Sequence, residues 1–289
     1  MKRTIVATAC DAAHFALAED LLRSLHRLKE RAFKIGFIQV GENAAPAALV
    51  NMADEARVAS NWGAQLKENE GFAVAYLAIK PRLPEFFPGY DTYVWLDSDT
   101  WVQNSAGIAH IVDHVHLADI CVHPQLDPNY WGCLYPDNYT VRVYDLIFGA
   151  DVRRQYFRYP MINAGVFGAA AQSPLWERWT NLLGEIRDKL QDQENRFFSD
   201  QIPLHRLIYS GALRPYPLRA VDNWLVQHAV PRLDLANGRL TAPSFPYEEI
   251  NIVHLVGAAK SMEYRLGELR ISLRYRDIIE KFGRSAAAR

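Results

Sequence analysis

Tyr93-Val94-Trp95-Leu96-Asp97-Ser98-Asp99 is an apolar run that ends abruptly in two carboxylates. Four large apolar residues in a row read as a strand covered on both faces. Asp97 and Asp99 then lie just past that strand's carboxyl end, where open parallel sheets bind their ligands. Two hard oxygen ligands on one side of the chain suit Mg²⁺ or Mn²⁺. Asp-x-Asp alone is a common pattern, and a solvated strand end is its competing reading. The surrounding sequence has to decide.

Upstream, residues 4–9, 34–40 and 72–79 read as strands and 13–31 and 47–60 as helices, all before the strand at 92–96. Asp11 can cap the first helix, in which Phe15, Ala18, Leu22 and Leu25 recur at helical spacing. This β-α-β-α-β order predicts an α/β fold with a mostly parallel central sheet and helices on both faces. Downstream, 161–167 reads as a strand, 175–190 and 199–208 as helices, and 250–255 as a last strand closed by a turn at Gly257. No repeat or low-complexity linker interrupts the chain. Residues 1–262 therefore read as one domain and 263–289 as a basic helical extension.

Composition narrows the function classes. Of 289 residues, 49% are hydrophobic and 22% charged, so a globular core forms and global disorder is excluded. Thirty-two basic against 33 acidic residues leave a formal charge of −1, without the basic excess that general nucleic-acid binding needs. The longest unbroken apolar stretch, residues 72–79, is far shorter than the roughly 20 residues of a membrane span. Asp11 and His14 cut short the apolar run at the N-terminus, which reads as a first core strand and not as a signal peptide. Cys10, Cys121 and Cys133 are odd in number and lack Cys-x-x-Cys spacing. That argues against a disulfide framework or zinc ribbon and for a reducing cytoplasm.

Three further segments follow the acid pair in order: Ile162-Asn163-Ala164-Gly165-Val166, Asp200-Gln201, and His254-Leu255-Val256-Gly257-Ala258-Ala259-Lys260. Together the four motifs resemble the retaining, metal-dependent family 8 glycosyltransferases, which include glycogenin and bacterial lipopolysaccharide galactosyltransferases and glucosyltransferases. Weaker echoes are residues 7–11 after the first strand, Lys80 before the acid-bearing strand, and Asn223 after Leu218. The resemblance spans about residues 4–260. It implies the GT-A (nucleotide-diphospho-sugar transferase) fold with a Rossmann-like, mostly parallel sheet. It also implies a nucleotide-sugar donor, UDP-glucose or UDP-galactose, with Mn²⁺ or Mg²⁺. The acceptor it implies is a glycan or glycolipid of bacterial surface polysaccharide or lipopolysaccharide.

The same resemblance assigns roles. Asp97, Asp99 and His254 hold the metal, Lys260 reaches the diphosphate, and Gly257 lets backbone approach the phosphates. Asn163, Ala164 and Gly165 lie against the donor sugar, with Asp200 near the anomeric carbon and Gln201 beside it. Ala7, Thr8, Ala9, Asp11, Lys80 and Ser98 complete the donor cavity. Chemistry explains these residue types. A nucleoside diphosphate leaves as the glycosidic bond breaks, so negative charge grows on the β-phosphate, and a divalent ion with a lysine stabilises it. Asn163 offers both a donor and an acceptor, although a strand edge with a packing glycine is the plainer reading. Asp200 can stabilise oxocarbenium character or cap the helix that follows it. Two departures stand out: Ser261-Met262 replace the family's Pro-Trp, and His14 and Phe15 compete for the ring that stacks on the base.

Other readings compete. Haloacid dehalogenase-type phosphatases also use Asp-x-Asp after a strand, but their motif sits on the first strand and has Thr or Val where Trp101 stands. A sugar nucleotidyltransferase needs a Gly-rich basic loop after the first strand, and residues 7–13 contain neither glycine nor base. A non-catalytic nucleotide- or glycan-binding protein on the same fold remains as the third class. His110, Asp113, His114 and His116 look like a second ion site, with His110 and His114 on one helical face. Tyr130, Trp131 and Tyr135 can stack on an acceptor sugar or fill the core under a loop. Arg265, Arg270, Arg274, Arg276, Lys281, Arg284 and Arg289 accompany an apolar side of Ile271, Tyr275, Ile278, Ile279 and Phe282. That pattern fits peripheral contact with an anionic membrane or an ordinary capping helix.

Overall fold

The computed structural model describes residues 2–29, 31–59, 78–130, 138–190, 200–235, 237–266 and 268–282. Its strands are β1 (Thr4–Cys10), β2 (Lys34–Gln39), β3 (Glu55–Val58), β4 (Thr92–Leu96), β5 (Thr100–Val102), β6 (Ile120–Pro124), β7 (Ile162–Ala170) and β8 (Pro215–Pro217). Short strands follow: β9 (Trp224–Leu225), β10 (Arg232–Asp234), β11 (Arg239–Thr241), β12 (Ile252–His254), β13 (Glu263–Leu266) and β14 (Leu269–Ser272). The helices are α1 (Phe15–His26), α2 (Ala47–Val50), α3 (Leu83–Phe86), α4 (Ala106–His114), α5 (Asn138–Phe148) and α6 (Ala150–Tyr156). Beyond them lie α7 (Leu175–Leu190), α8 (Gln201–Tyr209) and α9 (Tyr275–Phe282).

The central sheet has seven strands in the order β3-β2-β1-β4-β7-β6-β8. Every neighbouring pair is parallel except the two that β7 makes, which are antiparallel. Side-chain alternation along β4 sorts its residues between two cores. Val94 and Leu96 pack with Leu21, Leu22 and Leu25 of α1 and Ile108 and Ile111 of α4. Tyr93 and Trp95 face the opposite side, against Trp179 and Leu183 of α7 and Ile202 and Leu204 of α8. The expected α/β architecture, a mostly parallel sheet with helices on both faces, is the one observed. Cys10 and Cys121 are free and buried in it, and burial pushes both thiols up to about 12.

A second sheet, ordered β5-β12-β9, positions the site. β5 departs immediately after the two acids and pairs antiparallel with β12, setting His254 opposite Thr100. This register brings a histidine from the far end of the chain beside the acid pair.

Local readings shift in four places. Helix α1 follows a 3₁₀ turn at Ala12–His14 and ends at His26. Only Ala47–Val50 of the expected second helix is helical; Glu55–Val58 instead adds a parallel edge strand to β2, where backbone pairing outweighs a weak helical pattern. Residues 72–77 of the expected third strand lie outside the described residues, and Ala78 and Ile79 are helical. The C-terminal segment is not helical throughout: β13 and β14 form a hairpin pairing Tyr264 with Ile271, and only Tyr275–Phe282 is a helix. The alternation of Tyr264, Leu266, Leu269 and Ile271 has the strand period of 2, which the later helical spacing masks. Among the described residues, no helix is long and apolar enough to cross a membrane.

Candidate functional site

Thr100 builds the turn that aims the acids. Its backbone N–H and its hydroxyl both donate to the Asp97 carbonyl, at 2.9 and 2.7 Å. The Asp97 N–H donates to the Gly165 carbonyl at 2.7 Å, and the Leu255 N–H to the Asp99 carbonyl at 2.9 Å. β4, β7 and the end of β12 are thus stitched together at one point. One carboxylate oxygen from each of Asp97 and Asp99 and a ring nitrogen of His254 lie within 4.8 Å of one another. Two hard oxygens and an imidazole form a donor set that fits Mn²⁺ or Mg²⁺.

Gly165 makes room for that convergence. A Cβ there would stand 2.1 Å from His254 Cε1 and 2.8 Å from Asp97 Oδ2, so any side chain would collide with the cluster. Gly257 serves the second approach: its φ is +61°, and a Cβ would meet Gln227 Oε1 at 2.6 Å. The turn Gly257–Lys260 then delivers Lys260 Nζ to 2.9 Å from Asp99 Oδ2. The other oxygen, Asp99 Oδ1, faces His254 Nε2 at 3.2 Å. Burial pushes the Asp99 carboxyl up, but His254 and Lys260 outweigh it and hold the group well below the usual carboxylate range.

Lys80 is buried at the centre of the site. Its ammonium meets Asp200 Oδ2 at 2.5 Å, Asp97 Oδ1 at 2.9 Å and the Ala164 carbonyl at 3.1 Å. Burial alone would favour a neutral amine; Asp200 and Asp97 reverse that and hold the pKa above the ordinary lysine value. Trp95 Nε1 also donates to Asp97 Oδ1, at 2.7 Å, which leaves Oδ2 turned toward Gly165 and His254. Asp200 occupies the N-cap position of α8 yet makes no side-chain cap bond. Its carboxylate turns to Lys80 instead.

Asn163 Oδ1 accepts from the Gly165 N–H and from Asn223 Nδ2, both at 2.9 Å, leaving its own Nδ2 to offer a ligand. Gln201 Oε1 accepts from Gln125 Nε2 at 3.3 Å, beside Asp200. Ala7, Thr8 and Ala9 lie buried within β1, and Ser98 is buried between the two acids. Asp11 follows β1 and pairs with His14 Nδ1 at 2.5 Å, whereas Phe15 packs onto the core under α1. Of the two ring candidates, Phe15 is thus engaged with the core, while His14 is held by Asp11 just past the end of β1.

The remaining constellations resolve structurally. His110 binds the buried Asp222 at 2.6 Å and the Tyr216 hydroxyl at 3.2 Å, while His114 Nδ1 donates to the His110 carbonyl at 2.7 Å and its ring stacks on Tyr216. Among the described residues only Asp97, Asp99 and His254 form a group with metal-ligand geometry. Tyr130 is buried and its hydroxyl accepts from the Leu225 N–H at 3.0 Å, a core role; Trp131 and Tyr135 lie outside the described residues. His123 was hidden in a segment that reads as loop. It sits on β6 directly opposite Asn163, with Nδ1 on the Leu218 carbonyl and Nε2 buried without a partner. The continuous apolar run Ile120-Cys121-Val122, with two β-branched residues, is the signal that would have placed it on a strand.

This architecture is the GT-A glycosyltransferase fold. No protein-family model and no curated protein matches the chain in sequence. Among solved structures, the galactosyltransferase LgtC in complex with donor and acceptor sugar analogues superposes with a TM-score of 0.58 at 13% identity, covering 98% of this chain and 95% of that one. Mouse xyloside xylosyltransferase 1 gives 0.51 at 15% identity over 88% of this chain and 97% of that one. The glycosyltransferase GlyE of Streptococcus pneumoniae TIGR4 gives 0.53 at 15% identity, covering 97% of this chain and 60% of its own.

Proposed function

We propose that this protein is a retaining glycosyltransferase that moves a hexosyl group from a nucleoside-diphosphate sugar, with a divalent cation held by Asp97, Asp99 and His254. The observation that carries the reading is their convergence within 4.8 Å at the ends of β4 and β12, with Lys260 and the Lys80–Asp200 pair alongside. A binding module has no need of a buried lysine bridging two carboxylates in one pocket. A nucleotidyltransferase needs a triphosphate loop after β1, where this chain has Asp11 paired to His14.

The bound ion supplies charge stabilisation to the leaving diphosphate. The chain's own residues supply the rest. Lys260 adds a part-exposed positive charge at the outer edge of the cluster. Lys80 fixes Asp97 and Asp200 in one geometry, so the Asp200 carboxylate is pre-positioned for positive character at the anomeric carbon. Asn163 Nδ2 and Gln201 are placed to orient sugar hydroxyls. Gly257 and Gly165 let donor atoms come close to backbone. The motif resemblance favours UDP-glucose or UDP-galactose as donor and a bacterial surface glycan as acceptor. Arg274 and Arg276 are bonded to Asp20 on α1, which argues against membrane contact through these two residues.

The test is a panel of nucleotide-sugars with Mn²⁺, scoring donor hydrolysis together with protection against thermal unfolding. UDP-sugar hydrolysis that requires Mn²⁺ and is lost in Asp99→Asn supports the reading. Protection without turnover would identify a binding protein, and pyrophosphate release from a nucleoside triphosphate would identify a nucleotidyltransferase.

A further inference from the structure

The two lysines of the site differ in a way the donor-binding role does not explain. Three carboxylates, Asp97, Asp99 and Asp200, share the pocket. Lys80, only 2% exposed, neutralises Asp97 and Asp200 from inside and is walled in by the core. Asp99 Oδ2 is served by Lys260, whose side chain is 33% exposed and reaches in from the surface on a single 3₁₀ turn. Lys80 has no route out. Lys260 has one.

We propose that Lys260 is the resident counter-cation of the metal-free site, occupying Asp99 in place of the divalent ion and moving to the diphosphate when the ion arrives. The proposal rests on the metal-dependent reading above. An ammonium 2.9 Å from Asp99 Oδ2 already meets a ligand carboxylate that the ion must take. An ion on the same carboxylate would bring a second positive charge beside that ammonium, and like charges close together in a largely buried pocket repel strongly. The ion and the ammonium therefore compete for Asp99, and the loser needs a new anion. The diphosphate brought in with the ion supplies it, within reach of the same flexible stem. Metal and nucleotide binding are then coupled through one side chain, and coupling of this kind is reciprocal. Without such a counter-ion, the buried Asp99 would keep only His254 Nε2, at 3.2 Å from Oδ1, each time the site empties.

The consequence has opposite signs for the two ligands, which a simple phosphate-binding lysine does not produce. Isothermal titration of Mn²⁺ alone, without nucleotide, should show Lys260→Met binding the ion about tenfold more tightly than wild type. With Mn²⁺ saturating, the same variant should bind UDP at least about tenfold more weakly. Lys260→Arg keeps the competing charge and should leave the affinity for Mn²⁺ alone near wild type. Unchanged or weaker binding of Mn²⁺ alone by Lys260→Met overturns the proposal. Asp99→Asn in the same titration separates the two levels. If it binds Mn²⁺ as wild type does, the metal reading itself fails; if it loses Mn²⁺ while Lys260→Met gains nothing, only the counter-ion role fails. Thermal unfolding of each variant confirms that a folded protein is titrated.

Discussion

Asn223 Oδ1 stands 2.9 Å from His254 Nδ1, while its Nδ2 donates to Asn163 Oδ1 at 2.9 Å. One buried amide thus orients both the histidine of the Asp97–Asp99–His254 group and Asn163. With Nδ1 bound to the Asn223 amide oxygen, the ring is oriented so that Nε2 is the nitrogen that faces Asp99. Asn223 in turn is held by the turn Ala220–Asp222, whose Asp222 binds His110 and accepts from Asn251 Nδ2 at 2.6 Å. The histidine cluster on α4 is thereby a brace for the site at one remove.

Replacing Asn223 should therefore weaken metal binding without removing a ligand. Outer-shell partners of this kind typically contribute about 10- to 100-fold in metal affinity. Asn223→Ala is expected in that range by Mn²⁺ titration, and Asn223→Asp, which keeps the acceptor for Nδ1, should recover part of it. Equal affinity in wild type and Asn223→Ala would show that the ring is held by packing alone.

Lys80 and Asp200 provide a second measurement, because their 2.5 Å contact is buried and links positions 120 apart in the chain. Removing one member of a buried pair strands the other and costs about 3–5 kcal/mol. Lys80→Met should reach that range in urea unfolding. The double variant Lys80→Met/Asp200→Asn should be less destabilised than the two single costs added, since the second change removes a stranded charge. Strict additivity would show that the two residues do not act as a unit.

What was legible in the sequence follows from distance along the chain. Asp97 and Asp99 announce themselves because strand and acids are adjacent, and α7 was readable over Leu175–Leu190 because its apolar stripe runs for 16 residues. Lys80 offered only a weak echo, since its meaning depends on Asp97 and Asp200 meeting it across a folded sheet. Asn223 was equally muted: its two partners come from β7 and β12, and neither is a sequence neighbour. The edge strand β3 and the β13–β14 hairpin were missed where propensity is weak and pairing with a neighbour decides the conformation.

Acid should destabilise the fold in a defined window through His123 and His205. Burial lowers both imidazoles to about 4. A group with a depressed folded pKa contributes stability above its unfolded value and loses it as pH falls toward the folded value. Unfolding free energy should therefore decline from about pH 6.5 to about pH 4, by roughly 1.4 kcal/mol per pH unit for each histidine at full effect. His205 packs among Tyr144 and Tyr209, away from the metal cluster. His205→Phe should flatten about half of that slope while leaving Mn²⁺-dependent UDP binding intact. A slope unchanged in this variant would assign the acid sensitivity to the carboxylates.

The tail gives the last prediction. Asp20 of α1 is buried, and burial pushes its carboxyl up even with two guanidiniums beside it. Arg274 Nε and Arg276 Nε donate to its two oxygens at 2.9 and 2.8 Å, and both side chains also donate to the Ala16 carbonyl at 2.8 Å. Trp101 Nε1 adds a bond to the Leu273 carbonyl at 2.9 Å, tying the same segment to the residue after Thr100. The C-terminal segment is thus fastened to α1 and to β5, the strand that leaves the acid pair. Either arginine alone can keep Asp20 paired, so Arg274→Ala and Arg276→Ala should each destabilise mildly, by about 1 kcal/mol. The double variant leaves the carboxylate uncompensated and should lose clearly more than the sum, about 3–5 kcal/mol in total. Urea unfolding of the three variants measures this. Vesicle sedimentation at low salt decides the other reading of these arginines. Wild type should remain in the supernatant with anionic vesicles, because Arg274 and Arg276 are engaged by Asp20. Co-sedimentation that is lost in the double variant would instead show that the arginines leave Asp20 for the membrane.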